Sequence, residues 1–219
     1  LYTTHCLSFR FSFPLYYLRI KMKICAFDFD GTLTKKDTFV EFIRYVHGER
    51  KTITGFLLHL PLLLLMKLHL YSNQKAKQKV FSWFFHNMEI DRFNLLCKDF
   101  AHTNKQRLLR PAGIKRIRKA LEEGDKVIII SASIDNWVCP FFDEFGDKIQ
   151  IEGTQIEVKN GHLTGMFTTA NCYGQEKVNR LKALYPQRED YHLTAFGDSR
   201  GDKELINYAD KGYFKPFRD

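Results

Sequence analysis

Cysteine is scarce in this chain and badly placed for cross-linking. The five residues, Cys6, Cys25, Cys97, Cys139 and Cys172, are odd in number, scattered, and form no Cys-x-x-Cys pair. That excludes a disulfide framework and a thiolate zinc site, and it suits a reducing cytosol. No uncharged stretch is long enough to span a bilayer, which takes roughly 20 apolar residues in a helix. Acidic residues are missing from the first part of the chain, which holds Arg10, Arg19, Lys21 and Lys23. Of the formal net charge of +9, the remainder therefore carries only a modest positive excess. Nucleic acid is not needed to explain it; an anionic phosphorylated substrate or an anionic membrane surface would suit it equally.

What is present describes a folded protein. Hydrophobic residues make up 44% of 219 positions and there are 20 phenylalanines, which excludes disorder over most of the chain and allows one sizeable core, or a core plus a small cap. Residues 1–21 contain no small-residue cleavage site behind their short apolar run Phe11 to Leu18, so a secretory signal is disfavoured. Met22-Lys23-Ile24 reads as the natural start, and 1–21 as a poorly ordered, dispensable upstream extension.

The rest of the chain is organised around Ile24-Cys25-Ala26-Phe27-Asp28-Phe29-Asp30-Gly31-Thr32-Leu33-Thr34. An apolar run of strand length breaks into two carboxylates on alternate positions, which a strand would turn to one side. Gly31 and Thr32 stop the strand, leaving both aspartates at its carboxyl end, where open α/β sheets bind ligands. Two such close carboxylates repel, which raises one pKa or calls in a hard cation such as Mg2+.

Beyond the motif, Asp37 or Thr38 caps a helix expected to end near His47 at Gly48, with Phe39, Phe42, Ile43 and Val46 on one face. Thr52 to Met66 then carries no formal charge and contains Leu62-Leu63-Leu64-Leu65; Pro61 interrupts it or opens a second helix. Buried cap helices are the expected fate of this segment, and an interfacial membrane patch is the functional alternative. Amphipathic helices follow over Lys75 to Met88 and Asp91 to Phe100. Val127-Ile128-Ile129-Ile130 is a continuous β-branched run of the kind found inside parallel sheets, ending at Ser131-Ala132-Ser133 before a helix over Asp135 to Phe145. Asn160-Gly161 between two strand-like runs signals a hairpin. A helix over Gln175 to Leu184 carries Lys177, and the strand His192 to Phe196 ends in Gly197-Asp198-Ser199-Arg200-Gly201-Asp202. This alternation predicts an α/β fold, a doubly wound, mostly parallel Rossmann-like sheet with a helical cap inserted after the first strand. The expected division is 22–35 and 109–219 for the core, and 36–108 for the cap.

The order Asp28 and Asp30, Ser131, Lys177, then Asp198 with Asp202 resembles the four motifs of the haloacid-dehalogenase-like (HAD) phosphohydrolases over essentially all of residues 22 to 214. The resemblance implies a hydrolase acting through an aspartyl-phosphate, with Asp28 as nucleophile and Asp30 as acid and then base. Ser131 and the backbone N–H groups of Phe29 and Ala132 would hold phosphoryl oxygens, and Lys177 would stabilise the transferring group. Mg2+ would be held by Asp28, the main-chain carbonyl of Asp30 and Asp198, with Asp202 supporting that shell. The second aspartate points to a phosphatase or phosphotransferase rather than a dehalogenase; a non-catalytic binding protein on the same core is the competing class.

The cap's position, and Thr34 to Thr38 leading into it, resemble the phosphoserine-phosphatase-like branch, subfamily IB. Asp37 stands where that enzyme has a Glu for the substrate amine, and its carboxylate-binding Arg is replaced, with Lys79 as the nearest candidate. Both changes argue against serine phosphate. The leucine-rich cap segment resembles that of phosphatidylglycerophosphatase C, whose substrate is a phospholipid precursor. The expected protein is thus a cytoplasmic enzyme acting on a phosphorylated small molecule or a lipid phosphate, with the cap as a candidate contact to the inner face of the membrane and no nucleic-acid partner.

Overall fold

The computed structural model describes residues 21–218; the expected extension over 1–21 lies, except for Lys21, outside the described residues. Strand β1 (Met22–Phe27) sits at the centre of a five-stranded sheet. Its neighbours are β2 (Lys126–Ile134) and β6 (Tyr191–Gly197), flanked by β3 (Ile149–Thr154) and β7 (Lys211–Phe214) in the order β3-β2-β1-β6-β7. Every pairing in this sheet is parallel, with Phe27 opposite both Ile129 and Phe196. The uninterrupted apolar runs follow from burial on both faces. Cys25, Phe27 and Ile129 point into one core cluster, Ile24, Ala26, Ile128 and Ile130 into the other.

Four helices follow β1 before the chain turns back to the sheet: α1 (Thr38–Leu58), α2 (Leu60–Lys67), α3 (Asn73–Phe85) and α4 (Ile90–Leu108). They form the helical cap insertion, and α5 (Pro111–Glu122) returns the chain to β2. Phe42 binds the cap to the core: its ring lies 5.4 Å from Phe85 and 5.3 Å from Phe100 within the cap, and 5.2 Å from Trp137 beyond it. Trp137 belongs to the short helix α6 (Asp135–Val138), after which a 3-10 segment, Cys139–Lys148, replaces the single helix expected to Phe145. Pro140, which lacks an N–H, falls in the first turn of that segment. The expected hairpin forms from β4 (Ile156–Lys159) and β5 (His162–Phe167), with Asn160 and Gly161 both at positive φ, as the tight turn demands. Helices α7 (Gln175–Leu184) and α8 (Lys203–Tyr208) complete the second face.

Two expectations for the cap are corrected. Gly48 does leave helical geometry (φ 77°, ψ 168°), but α1 resumes behind the kink and continues to Leu58 instead of ending near His47. The second half starts with a side-chain bond from Thr52 Oγ1 to the Gly48 carbonyl at 2.7 Å. The leucine-rich segment, moreover, is not the buried core of the cap. α2 contains no buried residue, and Leu57, Leu58, Leu60, Leu64, Leu65, Leu68 and Leu70 are exposed, Leu58 to 63% and Leu70 to 73%. The phenylalanines of α1, α3 and α4 already fill the space between those helices, and of the Leu62–Leu65 run only Leu63 packs, half-buried, against that cluster.

Candidate active site

The site forms where β1 and β6 end side by side. Asp28 donates its N–H to the Phe196 carbonyl at 2.9 Å, prolonging the ladder by one residue. The chain then turns through Phe29–Leu33, and Gly31 takes φ 79°. A Cβ there would lie 2.5 Å from the Asp198 carboxylate, so glycine is required both by the backbone and by the close approach of the two loops. Thr32 Oγ1 donates to Asp28 Oδ2 at 2.8 Å, which fixes the carboxylate from behind.

Lys177, fully buried on α7, bridges two acids. Its Nζ lies 2.5 Å from Asp28 Oδ1 and 2.5 Å from Asp202 Oδ1. Burial alone would lower the lysine's pKa, but the two carboxylates outweigh it and hold the ammonium charged. Burial works against Asp202 too, and there Lys177 and the Ser199 hydrogen bonds win, so its pKa falls below the carboxylate norm. Asp28 goes the other way. Burial pushes it up to about 7, with the Lys177 charge pulling against the shift and Asp202 and Asp30 adding to it. Asp202 Oδ2 accepts from the N–H groups of Asp198 and Ser199 at 3.1 and 2.9 Å and from the Ser199 hydroxyl at 2.8 Å. Both of its oxygens are therefore engaged, Oδ1 by Lys177 and Oδ2 within its own loop. Asp198 is the more open member and meets the guanidinium of Arg218.

One carboxylate oxygen from each of Asp28, Asp198 and Asp202 lies within 4.8 Å of the others. All three are hard donors at the mouth of a strand pair, a donor set that suits a divalent cation of the Mg2+ type. The Asp30 side chain stands apart from this cluster. Its Oδ1 accepts from the Thr38 N–H and hydroxyl, and its Oδ2 from the Ser133 hydroxyl. Burial raises its pKa, Asp37 adds to the shift, and these bonds oppose it.

A cavity of about 520 Å³ opens above the acids. Asp28, Asp30, Asp198, Asp202 and Lys177 line it from the sheet side; Phe39, Phe56, Leu63, Met66 and Val80 line it from the cap. Among the remaining expected residues, Ala132 borders the cavity, whereas Ser131 lies fully buried beneath it with its Oγ accepting the Ser133 N–H at 3.0 Å. Phe29 is likewise fully buried, its ring 5.3 Å from Phe141. Asp37 borders the cavity, but its carboxylate caps α1 by accepting from the N–H groups of Phe39 and Val40.

Lys79 requires correction. It is exposed on α3 and does not border the cavity; Lys77 does, with its Nζ 2.6 Å from the Ala132 carbonyl and 5.5 Å from the centre of the Phe39 ring. Two residues along a helix is more than half a turn, so the two lysines cannot share a face. The signal was present in the sequence: Lys77 falls in register with Val80, Phe81 and Phe84, the apolar face of α3, and Lys79 does not. Ser133, Thr38 and Arg218 also join the site without a sequence signal of their own, because short polar residues at element ends and a lone basic residue carry no diagnostic spacing.

The family model of the haloacid dehalogenase-like hydrolases matches residues 25–206. Protein CicA of Caulobacter vibrioides is 32% identical over 199 residues, covering 89% of this chain and 86% of that protein. Among solved structures, a protein of unknown function from Bordetella pertussis Tohama I superimposes with a TM-score of 0.74 at 17% identity, covering 86% of this chain and 87% of that one. A phospho-aspartyl intermediate analogue of phosphoserine phosphatase gives 0.55 at 19% identity, covering 89% of this chain and 85% of that one. The last two share the fold.

Proposed function

Because the chain belongs to the haloacid dehalogenase-like hydrolases, we propose that it is a Mg2+-dependent phosphomonoester hydrolase working through an aspartyl-phosphate. The observation that carries this reading is the lysine bridge: a buried ammonium held between Asp28 and Asp202 at the floor of a cavity. In this reading an Asp28 oxygen attacks phosphorus and the bond to the leaving oxygen breaks. That oxygen takes a proton from Asp30. Asp30, now ionised, removes a proton from the water that attacks the phosphoenzyme, so inorganic phosphate leaves and Asp28 is restored. Lys177 neutralises charge on the transferring phosphoryl group at no cost in reorganisation, since it is already in place. The N–H groups of Phe29 and Ala132 are assigned to the phosphoryl oxygens. Ser131 joins them if its hydroxyl turns away from the Ser133 amide. Asp28, Asp198 and the Asp30 carbonyl would hold Mg2+, with Asp202 orienting the loop. The ion would supply electrostatic stabilisation of the phosphoryl oxygens.

The leaving group faces the cap, and its class is either a small phosphorylated metabolite or a lipid head-group phosphate. Two features favour the lipid arm: the apolar roof of Phe39, Phe56, Leu63 and Met66, and the exposed leucines that continue outward from it. A neighbouring groove lined by Leu60, Leu64 and Lys67 shares Leu63 and Met66 with the catalytic cavity. On this arm the enzyme works from the cytoplasm on the inner face of the membrane, touching it through the cap.

The test is hydrolysis of an aryl phosphate and of a panel of phosphorylated metabolites and lysophospholipid phosphates, with and without Mg2+. Turnover should need the cation and fall by at least about 10⁴-fold in Asp28→Asn, which keeps the shape and removes the nucleophile. Undiminished turnover in that variant would falsify the covalent route.

A further inference from the structure

Asp30 is gripped from two directions. Thr38, the first residue of α1 and so of the helical insertion, donates both its N–H and its hydroxyl to Oδ1, each at 2.6 Å. Ser133, near the end of β2, donates its hydroxyl to Oδ2 at 2.5 Å. Behind Thr38 stands Trp137, whose indole N–H lies 3.1 Å from the threonine oxygen. Thr38, Ser133 and Trp137 are all buried, and the two hydroxyl oxygens are 3.4 Å apart.

The directions of these bonds are constrained. An indole N–H can only donate, so the Thr38 oxygen accepts from Trp137 and its one hydrogen is left for Asp30. A main-chain N–H can only donate as well. Oδ1 therefore receives two donors that cannot reverse. Oδ2 receives one hydroxyl, and a serine hydroxyl can turn to accept when Oδ2 carries the proton. The two oxygens of Asp30 are thus unequal.

We propose that Thr38, Ser133 and Trp137 are positioning residues for proton transfer by Asp30. Thr38, braced by Trp137, pins Oδ1, and Oδ2 is the oxygen that exchanges its proton with the leaving group. As the bond from phosphorus to the leaving oxygen breaks, its electron pair stays on that oxygen, which takes the proton from Oδ2, while an Asp28 oxygen completes the new bond to phosphorus. Because Thr38 comes from the insertion and Ser133 from the sheet, the acid is aligned only when the first turn of the cap is seated. This inference rests on the hydrolase reading above.

The measurement is kcat/KM for an alkyl phosphate and for nitrophenyl phosphate in wild type, Thr38→Val, Thr38→Ser, Ser133→Ala and Trp137→Phe. The alkyl ester needs its leaving oxygen protonated and the nitrophenyl ester scarcely does. Thr38→Val should lower the alkyl-to-aryl ratio by about tenfold, a fraction of the full effect of an acid. Thr38→Ser should return the ratio to within about threefold of wild type, and Ser133→Ala and Trp137→Phe should shift it in the same direction as Thr38→Val. The ratio is taken within one protein, so partial unfolding of a variant cancels. Equal losses on both esters, an unchanged ratio, or a Thr38→Ser no better than Thr38→Val would overturn the proposal. A wild type that hydrolyses neither ester would instead remove the hydrolase reading, and this inference with it.

Discussion

The floor of the cavity and the outer end of the cap invert the usual distribution of polarity. At the floor, Asp28, Lys177 and Asp202 are buried and bound to one another and to Thr32 and the Ser199 N–H by hydrogen bonds. At the cap's outer end, α2 and the last turn of α1 are leucine-rich and exposed. Burying charge is expensive unless partners are placed for it in advance, and the chain meets that cost here with a threonine, a lysine and a loop of N–H groups. Exposing leucine forgoes about 25 cal/mol for each Å² left in water. Neither region is what packing alone would choose. Between them lies an ordinary interior, the phenylalanine cluster around Phe42, which supplies the rigidity.

That comparison gives its largest effect inside the cap. Phe42 touches Phe85, Phe93, Phe100 and Trp137 and is completely buried, so Phe42→Ala should cost about 3–5 kcal/mol of unfolding free energy. Urea unfolding would measure it. A cost under about 1 kcal/mol would show that the cap is loosely packed and that its exposed leucines need no special explanation.

A smaller effect should appear with pH. His47, on α1, packs its ring 5.3 Å from Phe84 and 5.2 Å from Phe85. Burial lowers its pKa from 6.5 to about 4, helped by the charges of Lys51 and Arg92 and opposed by a backbone hydrogen bond with Phe84. The folded state therefore binds the proton less readily than the unfolded one. The stabilisation is fully present above pH 6.5 and is lost as the pH falls from there towards 4. Allowing for the ring's partial exposure, the loss is about 1–2 kcal/mol. Thermal unfolding of wild type and His47→Gln between pH 7.5 and 4.5 would detect it, the substitution flattening the profile. Parallel profiles would mean that the ring is solvated and the packing around Phe84 open.

Much of the floor is legible from the order of its motifs rather than from any one of them. Asp-x-Asp before a glycine also suits an ordinary turn, and a lysine on a later helix is by itself most simply a solvated one, but their order, closed by the acids around Gly201 at a strand end, leaves few alternatives, and the β-branched runs dictate the parallel sheet that collects them. The cap was less legible for a physical reason. Hydrophobicity predicts burial only where a partner surface exists, and nothing in Leu62-Leu63-Leu64-Leu65 says whether the phenylalanines have already filled the space. Helical phase mattered too: the choice between Lys77 and Lys79 depends on which face of α3 meets the site. Thr38 and Ser133 read as an ordinary helix start and strand end, since their meaning arises only when two loops close on Asp30.

The mildest substitution tests the outer end of the cap most sharply. Leu64 is 52% exposed and lies on a helix with no buried residue, so Leu64→Asp should change unfolding free energy by no more than about 0.5 kcal/mol. Hydrolysis of a soluble aryl phosphate should also be kept, because Leu64 does not border the catalytic cavity. An acyl chain or bilayer meeting even part of the ridge would gain several kcal/mol from the apolar area covered, on the order of 25 cal/mol per Å². A negative charge at its centre should therefore abolish binding to anionic vesicles and hydrolysis of lipid phosphates. Lys51 and Lys67, at the two ends of the uncharged segment, suit a surface of that charge. If Leu64→Asp instead destabilises the protein by several kcal/mol and reduces turnover on every ester, the leucines are covered within the protein after all and the contrast between floor and tip disappears. If the wild type itself ignores anionic vesicles at low salt, the lipid arm falls and a small soluble phosphomonoester becomes the substrate class, with the apolar roof serving only to exclude water from Asp28.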